Sequence, residues 1–170
     1  RSAAEAAKKA FITTRWGDVA LLIGIILLWR EAGTFDMSEI FHMAEEGEFD
    51  KWYLTMATLF LFGAAAGKSA QFPFHVWLAG TIEAPTPVSA MLHAGIVNAG
   101  GFLVNRLAPL FGMAPTTLYV LFVVGALTAL IGAATMLTQS SIKRTLVYST
   151  MGQMGYMVME CGLGAFALAV

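Results

Sequence analysis

The sequence predicts an all-α membrane protein, a polytopic bundle of about five transmembrane helices of which one is broken. Hydrophobic residues make up 58% of the 170 residues and charged residues only 12%, whereas charged residues are roughly 25% of a soluble domain. The charges also cluster, and they leave apolar stretches close to the roughly 20 residues that cross a bilayer. We expect residues 1–170 to be an internal piece of one transmembrane domain in a longer protein.

The first predicted span covers residues 11–29 and carries two charged side chains near its start. Arg15 and Asp18 are three residues apart, which places them on the same face of a helix. An ion pair at the membrane interface, with a structural role, is the interpretation that this spacing favours.

The second predicted span, residues 52–82, begins as a regular helix and continues in altered form after Gly67. Lys68 is followed by more apolar sequence rather than by a loop, and Pro73 comes soon after it. This pattern favours a helix that is interrupted within the membrane. Such interruptions are tolerated only inside protein or beside a water-filled cavity.

Lys68 is therefore the main candidate for proton transfer. Desolvation favours the neutral amine, whereas a nearby carboxylate favours the ammonium, so a partner that moves can make a buried lysine take up and release a proton. The alternatives are a structural ion pair and a side chain that reaches the membrane interface along its aliphatic stem.

The third predicted span, residues 86–106, follows a proline-rich turn. Pro85 and Pro87 cannot continue a helix but can begin one, so they suit a turn that re-enters the membrane. Glu83 lies next to this turn and either pairs with a cation or faces water.

His93 lies midway through the third span, 25 residues after Lys68. Imidazole titrates near neutral pH, which makes this residue a natural next carrier for a proton from Lys68. The alternative is a hydrogen bond between two helices.

Two further spans are predicted at residues 116–138 and 144–167. The fourth carries small and polar residues every three or four positions, a pattern typical of a face that packs against another helix: Gly125, Thr128, Gly132, Thr135 and Gln139. The fifth begins after Lys143 and Arg144 and carries Glu160, whose partner the sequence does not identify. Lys143 either anchors the helix at the interface or forms the cytoplasmic entry of a proton path.

The distribution of charge predicts the orientation. Basic residues are concentrated before the first span and in the turn between the fourth and fifth spans, which lie on the same side of five alternating helices. The positive-inside rule makes that side cytoplasmic. We therefore expect a multi-pass protein of the inner (cytoplasmic) membrane with the N-terminal end of the chain in the cytoplasm and the acidic loop of residues 31–50 outside.

Several other functions find no support in the sequence. The net charge of −1 provides no basic field for nucleic acid. No GxGxxG motif is present, and the three histidines and one cysteine have no metal-site or iron–sulfur spacing. We expect no catalytic or redox site, no cofactor and no metal in this chain, and its status as part of an enzyme depends on the complex that contains it.

Three segments resemble a known family: GKSAQFPFHVWL, EAPTPVSAMLHAG and SSIKRTLVYSTMGQMGYM. They are similar to the antiporter-like membrane subunits of NADH-quinone oxidoreductase, of the subunit L type, and to the large subunits of Mrp-type sodium/proton antiporters. The resemblance implies a core of 14 helices, of which this chain supplies the sixth to the tenth with the seventh broken.

The resemblance also implies roles for individual residues. Lys68 falls at the essential lysine of the broken helix, and His93 falls at an eighth-helix position that is lysine or histidine in the family. Arg15 and Asp18 match the start of the sixth helix. The family's glutamate partner of the lysine belongs to the fifth helix, which would precede Arg1, and further relay residues would follow Val170.

The segment HAGIVNAGGFLVNRLAPLF is more similar to the membrane subunit of two-part inorganic-carbon transporters. This resemblance implies a subunit whose proton flux energises uptake of carbon dioxide or bicarbonate, with a soluble zinc-binding partner. The alternatives are a proton-pumping translocase component of NADH-quinone oxidoreductase, a subunit of a multisubunit sodium/proton antiporter, and a membrane scaffold without transport. The expected partners are lipid, other membrane subunits, and protons or sodium ions.

Overall fold

The computed structural model of the chain describes residues 2–169. All regular elements in that range are helices, which confirms the all-α prediction. They are α1 (Ser2–Ala32), α2 (Met37–Glu46), α3 (Lys51–Lys68), a 3-10 helix (Phe74–Glu83), α4 (Thr86–Met91), a π-helical turn (Leu92–Ile96), α5 (Ala99–Arg106), α6 (Ala108–Gly112), α7 (Pro115–Leu137) and α8 (Ile142–Gly162).

Three of the described helices are long and apolar enough to cross a membrane: α1, the run from Thr86 to Arg106, and α7. The other two predicted spans are less apolar because charged residues belong to their helices. Lysines occupy both ends of α3, and α8 begins with a basic pair and carries Glu160 near its end.

Helix α1 begins at Ser2, nine residues before the predicted start of the first span at residue 11. The added segment, SAAEAAKKA, consists mostly of alanine, lysine and glutamate, which are strong helix formers. Its charged residues explain why an apolar pattern alone did not reveal this part of the helix.

The predicted outer loop contains a short helix, α2, which the sequence did not predict. Asp36 caps its N-terminus: the Ser38 hydroxyl donates to Oδ1 over 2.6 Å and the Ser38 amide over 2.9 Å. These hydrogen bonds stabilise the carboxylate and hold the pKa of Asp36 below its usual value. Gly47, with φ of 74°, ends the helix in the left-handed conformation.

Two helix pairs form the framework, α1 with α3 and α7 with α8. Glycines allow the backbones of α7 and α8 to touch. A Cβ atom built on Gly132 would lie 2.8 Å from the Gly152 nitrogen, and one on Gly155 would lie 2.8 Å from the Ala129 Cα. Each side chain larger than hydrogen would therefore push these two helices apart.

The core has two apolar clusters. The larger one includes Phe111 and Leu121 and joins α3 to α6, α7 and α8. The smaller one includes Ala70, Trp77 and Val97 and packs around the residues that follow α3. The first part of the irregular segment after α3, residues 69–71, is thus enclosed by protein, whereas Phe72 and Pro73 are exposed.

Candidate ion-pair site at a broken helix

Helix α3 ends at Lys68, and the 3-10 helix begins at Phe74. We call residues 69–73 the helix break. Ala70 adopts a left-handed conformation with φ of 51°, and the peptide bond before Pro73 is cis. Pro73 thus lies at the start of the second half of the interrupted helix, where its missing N–H leaves no donor unpaired.

Hydrogen bonds from neighbouring elements stabilise the helix break. The amide of Phe72 donates to Thr128 Oγ1 on α7 over 3.0 Å. The indole N–H of Trp77 donates to the carbonyl of Gly67 over 3.2 Å, and Ser69 Oγ donates to the carbonyl of Ala65 over 2.6 Å. The Phe72 amide and the Gly67 carbonyl are therefore paired within the protein, as backbone groups at an interruption in a membrane helix require.

Two glycines bring α1 and α3 together just beside the helix break. A Cβ atom on Gly67 would lie 3.1 Å from the Gly17 Cα, and one on Gly17 would lie 3.2 Å from the Ala64 oxygen. Gly67 belongs to the last turn of α3, directly before Lys68 and the helix break. Its physical role is the close approach of two helices.

The residues that follow these glycines form an ion pair between the two helices. Lys68 Nζ lies 2.8 Å from Asp18 Oδ1, and Arg15 Nη1 lies 3.1 Å from Asp18 Oδ2. The side chains of Lys68 and Asp18 are 37% and 28% exposed, whereas that of Arg15 is 60% exposed. We call these three residues the ion-pair site.

The sequence predicted contact between Arg15 and Asp18 but did not pair Asp18 with Lys68. A signal for the second contact is present in two dipeptides, Gly17-Asp18 and Gly67-Lys68. Because each glycine faces the other at the helix crossing, the charged residue after each one lies beside its counterpart. One carboxylate thus pairs with two cations, one on its own helix and one on α3.

His93 lies in the π-helical turn between α4 and α5. Such turns inside α-helices are frequent at functional sites. Its Nε2 atom is 3.5 Å from Thr81 Oγ1, and its buried Nδ1 atom has no hydrogen-bond partner in the described part of the chain.

A cavity of about 470 Å³ with a mostly apolar lining opens beside His93. We call it the His93 cavity. Lys143, which is exposed in the first turn of α8, lines it together with Ser89, Ser149, Thr150 and Gln153. Lys68 does not line this cavity. The structure therefore brings His93 and Lys143 to one place and Arg15, Asp18 and Lys68 to another.

The 3-10 helix runs from the ion-pair site to the His93 cavity. Trp77 bonds to the carbonyl of Gly67 next to Lys68, and Thr81, four residues later, contacts His93. Trp77 and Leu78 are buried between these two contacts along the chain. Buried apolar side chains of the 3-10 helix therefore separate the two places.

The remaining predicted residues lie apart from both places. Glu83 accepts a hydrogen bond from Ser2 Oγ over 3.0 Å. Pro85 caps the start of α4, and Pro87 is in its first turn, as a turn into a new helix requires. Glu160 makes no ion pair or hydrogen bond through its side chain within residues 2–169.

Comparisons with known proteins give a consistent match. The family model described as NADH:quinone oxidoreductase/Mrp antiporter, TM, matches residues 1–170. A probable inorganic carbon transporter subunit DabB1 of Halothiobacillus neapolitanus is 54% identical over 94% of this chain. The chloroplastic NAD(P)H-quinone oxidoreductase subunit 5 of Ranunculus macranthus is 44% identical over 99% of it.

The fold matches a solved structure as well. A chain of the Mrp complex from Dietzia sp. DQ12-45-1b superposes with a TM-score of 0.89 and 34% identity over 94% of this chain. The present chain spans 18% of that chain, 29% of the Halothiobacillus protein and 23% of the Ranunculus protein. It therefore corresponds to a part of a larger helical fold.

Proposed function

The chain belongs to the family of NADH:quinone oxidoreductase and Mrp antiporter transmembrane proteins, and we propose that it forms the proton-conducting part of an antiporter-like subunit. The observation that carries this proposal is the 2.8 Å ion pair between Lys68 and Asp18. It places a titratable amine at the end of an interrupted helix, beside a carboxylate that already has a second cation.

Lys68 is the proton carrier in this proposal. Its amino group pairs with Asp18, and Arg15 pairs with the same carboxylate from the preceding turn of α1. Because Asp18 retains a partner, the departure of Lys68 does not leave an unpaired carboxylate, which would be costly in a low-dielectric environment. Away from Asp18, desolvation disfavours the charged ammonium, so Lys68 releases its proton there.

His93 and Lys143 are the next members of the proposed path. The His93 cavity has a mostly apolar lining with a few hydroxyl and amide groups, and these can orient bridging water between the exposed Lys143 and the partly buried His93. A neutral imidazole accepts a proton on one nitrogen while the other keeps its hydrogen bond. On the predicted orientation, this cavity belongs to the cytoplasmic side of the inner membrane.

For the complete protein, we propose that proton flux energises the uptake of carbon dioxide or bicarbonate. The support is the higher identity to the Halothiobacillus carbon-transporter subunit, 54%, than to the Ranunculus quinone-oxidoreductase subunit, 44%. The expected partner is a soluble zinc-binding subunit. A respiratory or sodium/proton antiporter complex is the second candidate, favoured by the fold match to the Mrp complex, and the subunits that copurify with the full-length protein distinguish the two.

The test of proton conduction is a comparison of two lysines on one helix. Lys68→Met in the full-length protein, reconstituted in liposomes with its copurifying partners, should abolish proton flux while assembly persists. Lys51→Met, at the exposed opposite end of α3, should retain it. Normal flux in the Lys68→Met liposomes would assign the lysine to a structural ion pair in a scaffold.

A further inference from the structure

A second cavity, of about 280 Å³, lies between the first turns of α1 and the 3-10 helix. We call it the Glu83 cavity. Its lining is mostly apolar, and among the described residues Glu83 is its only charged side chain and Thr81 its only hydroxyl. The α1 side of the lining consists of four alanines, Ala3, Ala6, Ala7 and Ala10.

The Glu83 cavity adjoins the His93 cavity. Ala84 lines both, whereas the consecutive residues Leu92 and His93 of the π-helical turn line one each. A hydrogen-bond contact crosses the boundary, because Thr81 Oγ1 lies 3.5 Å from His93 Nε2. Thr81 is only 7% exposed. Its hydroxyl therefore joins one cavity to the imidazole that lines the other.

The hydroxyl of Thr81 can both accept and donate a proton, since it has one hydrogen and two lone pairs. It donates the hydrogen to the carbonyl of Leu78 over 2.7 Å, and its oxygen can accept a hydrogen bond from water in the Glu83 cavity. A rotation about the C–O bond turns the hydrogen toward His93 Nε2. The 3.5 Å separation must shorten for transfer, as distances between proton-transfer partners commonly do when a site becomes active.

Glu83 provides the exchange with bulk water. Its carboxylate is exposed and accepts a hydrogen bond from Ser2 Oγ over 3.0 Å, which holds it beside the first turn of α1. On the predicted orientation, this end of α1 is cytoplasmic. A carboxylate attracts protons, whereas the ammonium of Lys143 in the His93 cavity repels them. The cavity volume of about 280 Å³ far exceeds the roughly 15 Å³ that one water molecule requires, so water can join Glu83 to Thr81.

We propose that Glu83 and Thr81 form a proton entry to His93, in which Glu83 collects protons from the cytoplasm and the Thr81 hydroxyl delivers them. This inference rests on the proposed role of His93 as a carrier. A proton released by the Glu83 carboxyl passes through water to Thr81 Oγ1. The O–H bond of Thr81 breaks as its hydrogen moves to the unprotonated Nε2 of His93, and the proton from water restores the hydroxyl. Thr81 ends unchanged, and His93 gains one positive charge.

The first test removes the hydroxyl and keeps the volume. Thr81→Val in the full-length protein, reconstituted with its copurifying partners, should lower proton flux in liposomes about tenfold. A positioned proton-transfer group contributes at least about 100-fold, but the His93 cavity remains as a second route. Thr81→Ser restores the hydroxyl and should restore flux. Normal flux in Thr81→Val, or equal losses in Thr81→Val and Thr81→Ser, would overturn the inference.

The second test removes the carboxylate. Glu83→Gln should lower flux about as much as Thr81→Val, because the two residues act in series. Glu5→Gln is the matched control, since Glu5 is an exposed carboxylate in the first turn of α1 and does not line the Glu83 cavity. It should leave flux unchanged. Equal losses in the two variants would mean that only the surface charge at this end of the protein matters, which contradicts a path through the cavity.

The third test fills the cavity from the opposite wall. Ala7 is exposed and lines the Glu83 cavity, so Ala7→Leu should displace water and lower flux, whereas Ala4→Leu on the same helix, outside the lining, should not. Normal flux in Ala7→Leu would count against the inference. His93→Gln, measured in parallel, tests the carrier role separately: if it abolishes flux while Thr81→Val conducts normally, only the proposed entry is wrong.

Discussion

The α1–α3 pair and the α7–α8 pair both pack through close backbone contacts, but only the first pair carries charged residues at its contact. Both depend on glycines that let two backbones touch, Gly17 with Gly67 in the first pair and Gly155 with α7 in the second. In the first pair, charged residues follow the glycines directly and meet as an ion pair. No ion pair joins α7 to α8 among the described side chains. Both helix pairs therefore use glycine to bring their backbones into contact. The residue next to each glycine decides whether that contact is only structural or also forms an ion pair.

The α7–α8 pair supports the site indirectly. Thr128 is buried on α7 between two glycines that contact α8, and its hydroxyl oxygen accepts the hydrogen bond from the Phe72 amide. Its own hydroxyl proton goes to the carbonyl of Val124, 2.7 Å away. The position of the helix break thus depends on a helix pair that carries no charge at its contact.

The largest effect is expected from Gly155→Leu, which breaks the α7–α8 contact. A Cβ atom there would lie 2.8 Å from the Ala129 Cα and 2.9 Å from the Gly125 oxygen, and backbone atoms cannot move aside individually. We expect the free energy of unfolding to fall by about 3 kcal/mol. Denaturant unfolding of the full-length protein in detergent measures this change.

Gly112→Leu is the control for that experiment. Nothing lies within 4 Å of a Cβ atom built on Gly112, and its φ is not in the left-handed region. The same change of size should therefore have little effect on unfolding there. Equal losses in the two variants would mean that the contact between α7 and α8 is looser than described.

A smaller effect, on flux rather than on stability, is expected from Gly17→Ala. The new Cβ atom would lie 3.2 Å from the Ala64 oxygen, so α1 and α3 must separate by a few tenths of an ångström. Alanine also gains up to about 1 kcal/mol of helix propensity, which offsets the strain. Since a misplacement of about 1 Å can cost about 100-fold in rate, we expect flux to fall about threefold with nearly normal stability.

Gly63→Ala, on the neighbouring turn of α3, is the control for the flux measurement. Its Cβ atom would meet only the Ala20 Cβ, at an ordinary distance of 3.4 Å. Flux should be normal in this variant. If Gly17→Ala conducts as well as Gly63→Ala, the spacing of the two helices does not govern the ion-pair site.

The fold was largely predictable from the sequence because membrane helices are long apolar stretches bounded by charged residues. The fourth span shows this best: the stripe that contains Gly125 and Gly132 is the face that packs on α8. Helix α2 was missed, since its buried surface consists of a few residues such as Ile40 and Ala44 in an otherwise acidic segment. An amphipathic helix of this length does not stand out from a solvated loop.

The sequence singled out each residue of the ion-pair site, but it did not predict that Lys68 contacts Asp18. Lys68 attracted attention because a lysine is costly within an apolar segment. Its contact with Asp18 joins residues 50 positions apart, so it depends on which helices are neighbours. Gln71 helped to indicate the helix interruption, but the sequence could not reveal that its side chain is completely buried, with an oxygen that is unpaired among the described residues.

The most direct test of the central claim exchanges the two charges of the ion pair. Asp18→Lys combined with Lys68→Asp keeps a carboxylate and an amine in contact between α1 and α3 but removes the amine from the broken helix. If Lys68 is the proton carrier, the exchanged protein should assemble, with stability lowered only by repulsion between Arg15 and the lysine introduced at position 18, and should conduct no protons in liposomes. Wild-type flux in this variant would contradict the claim, because it would show that the site needs only an ion pair.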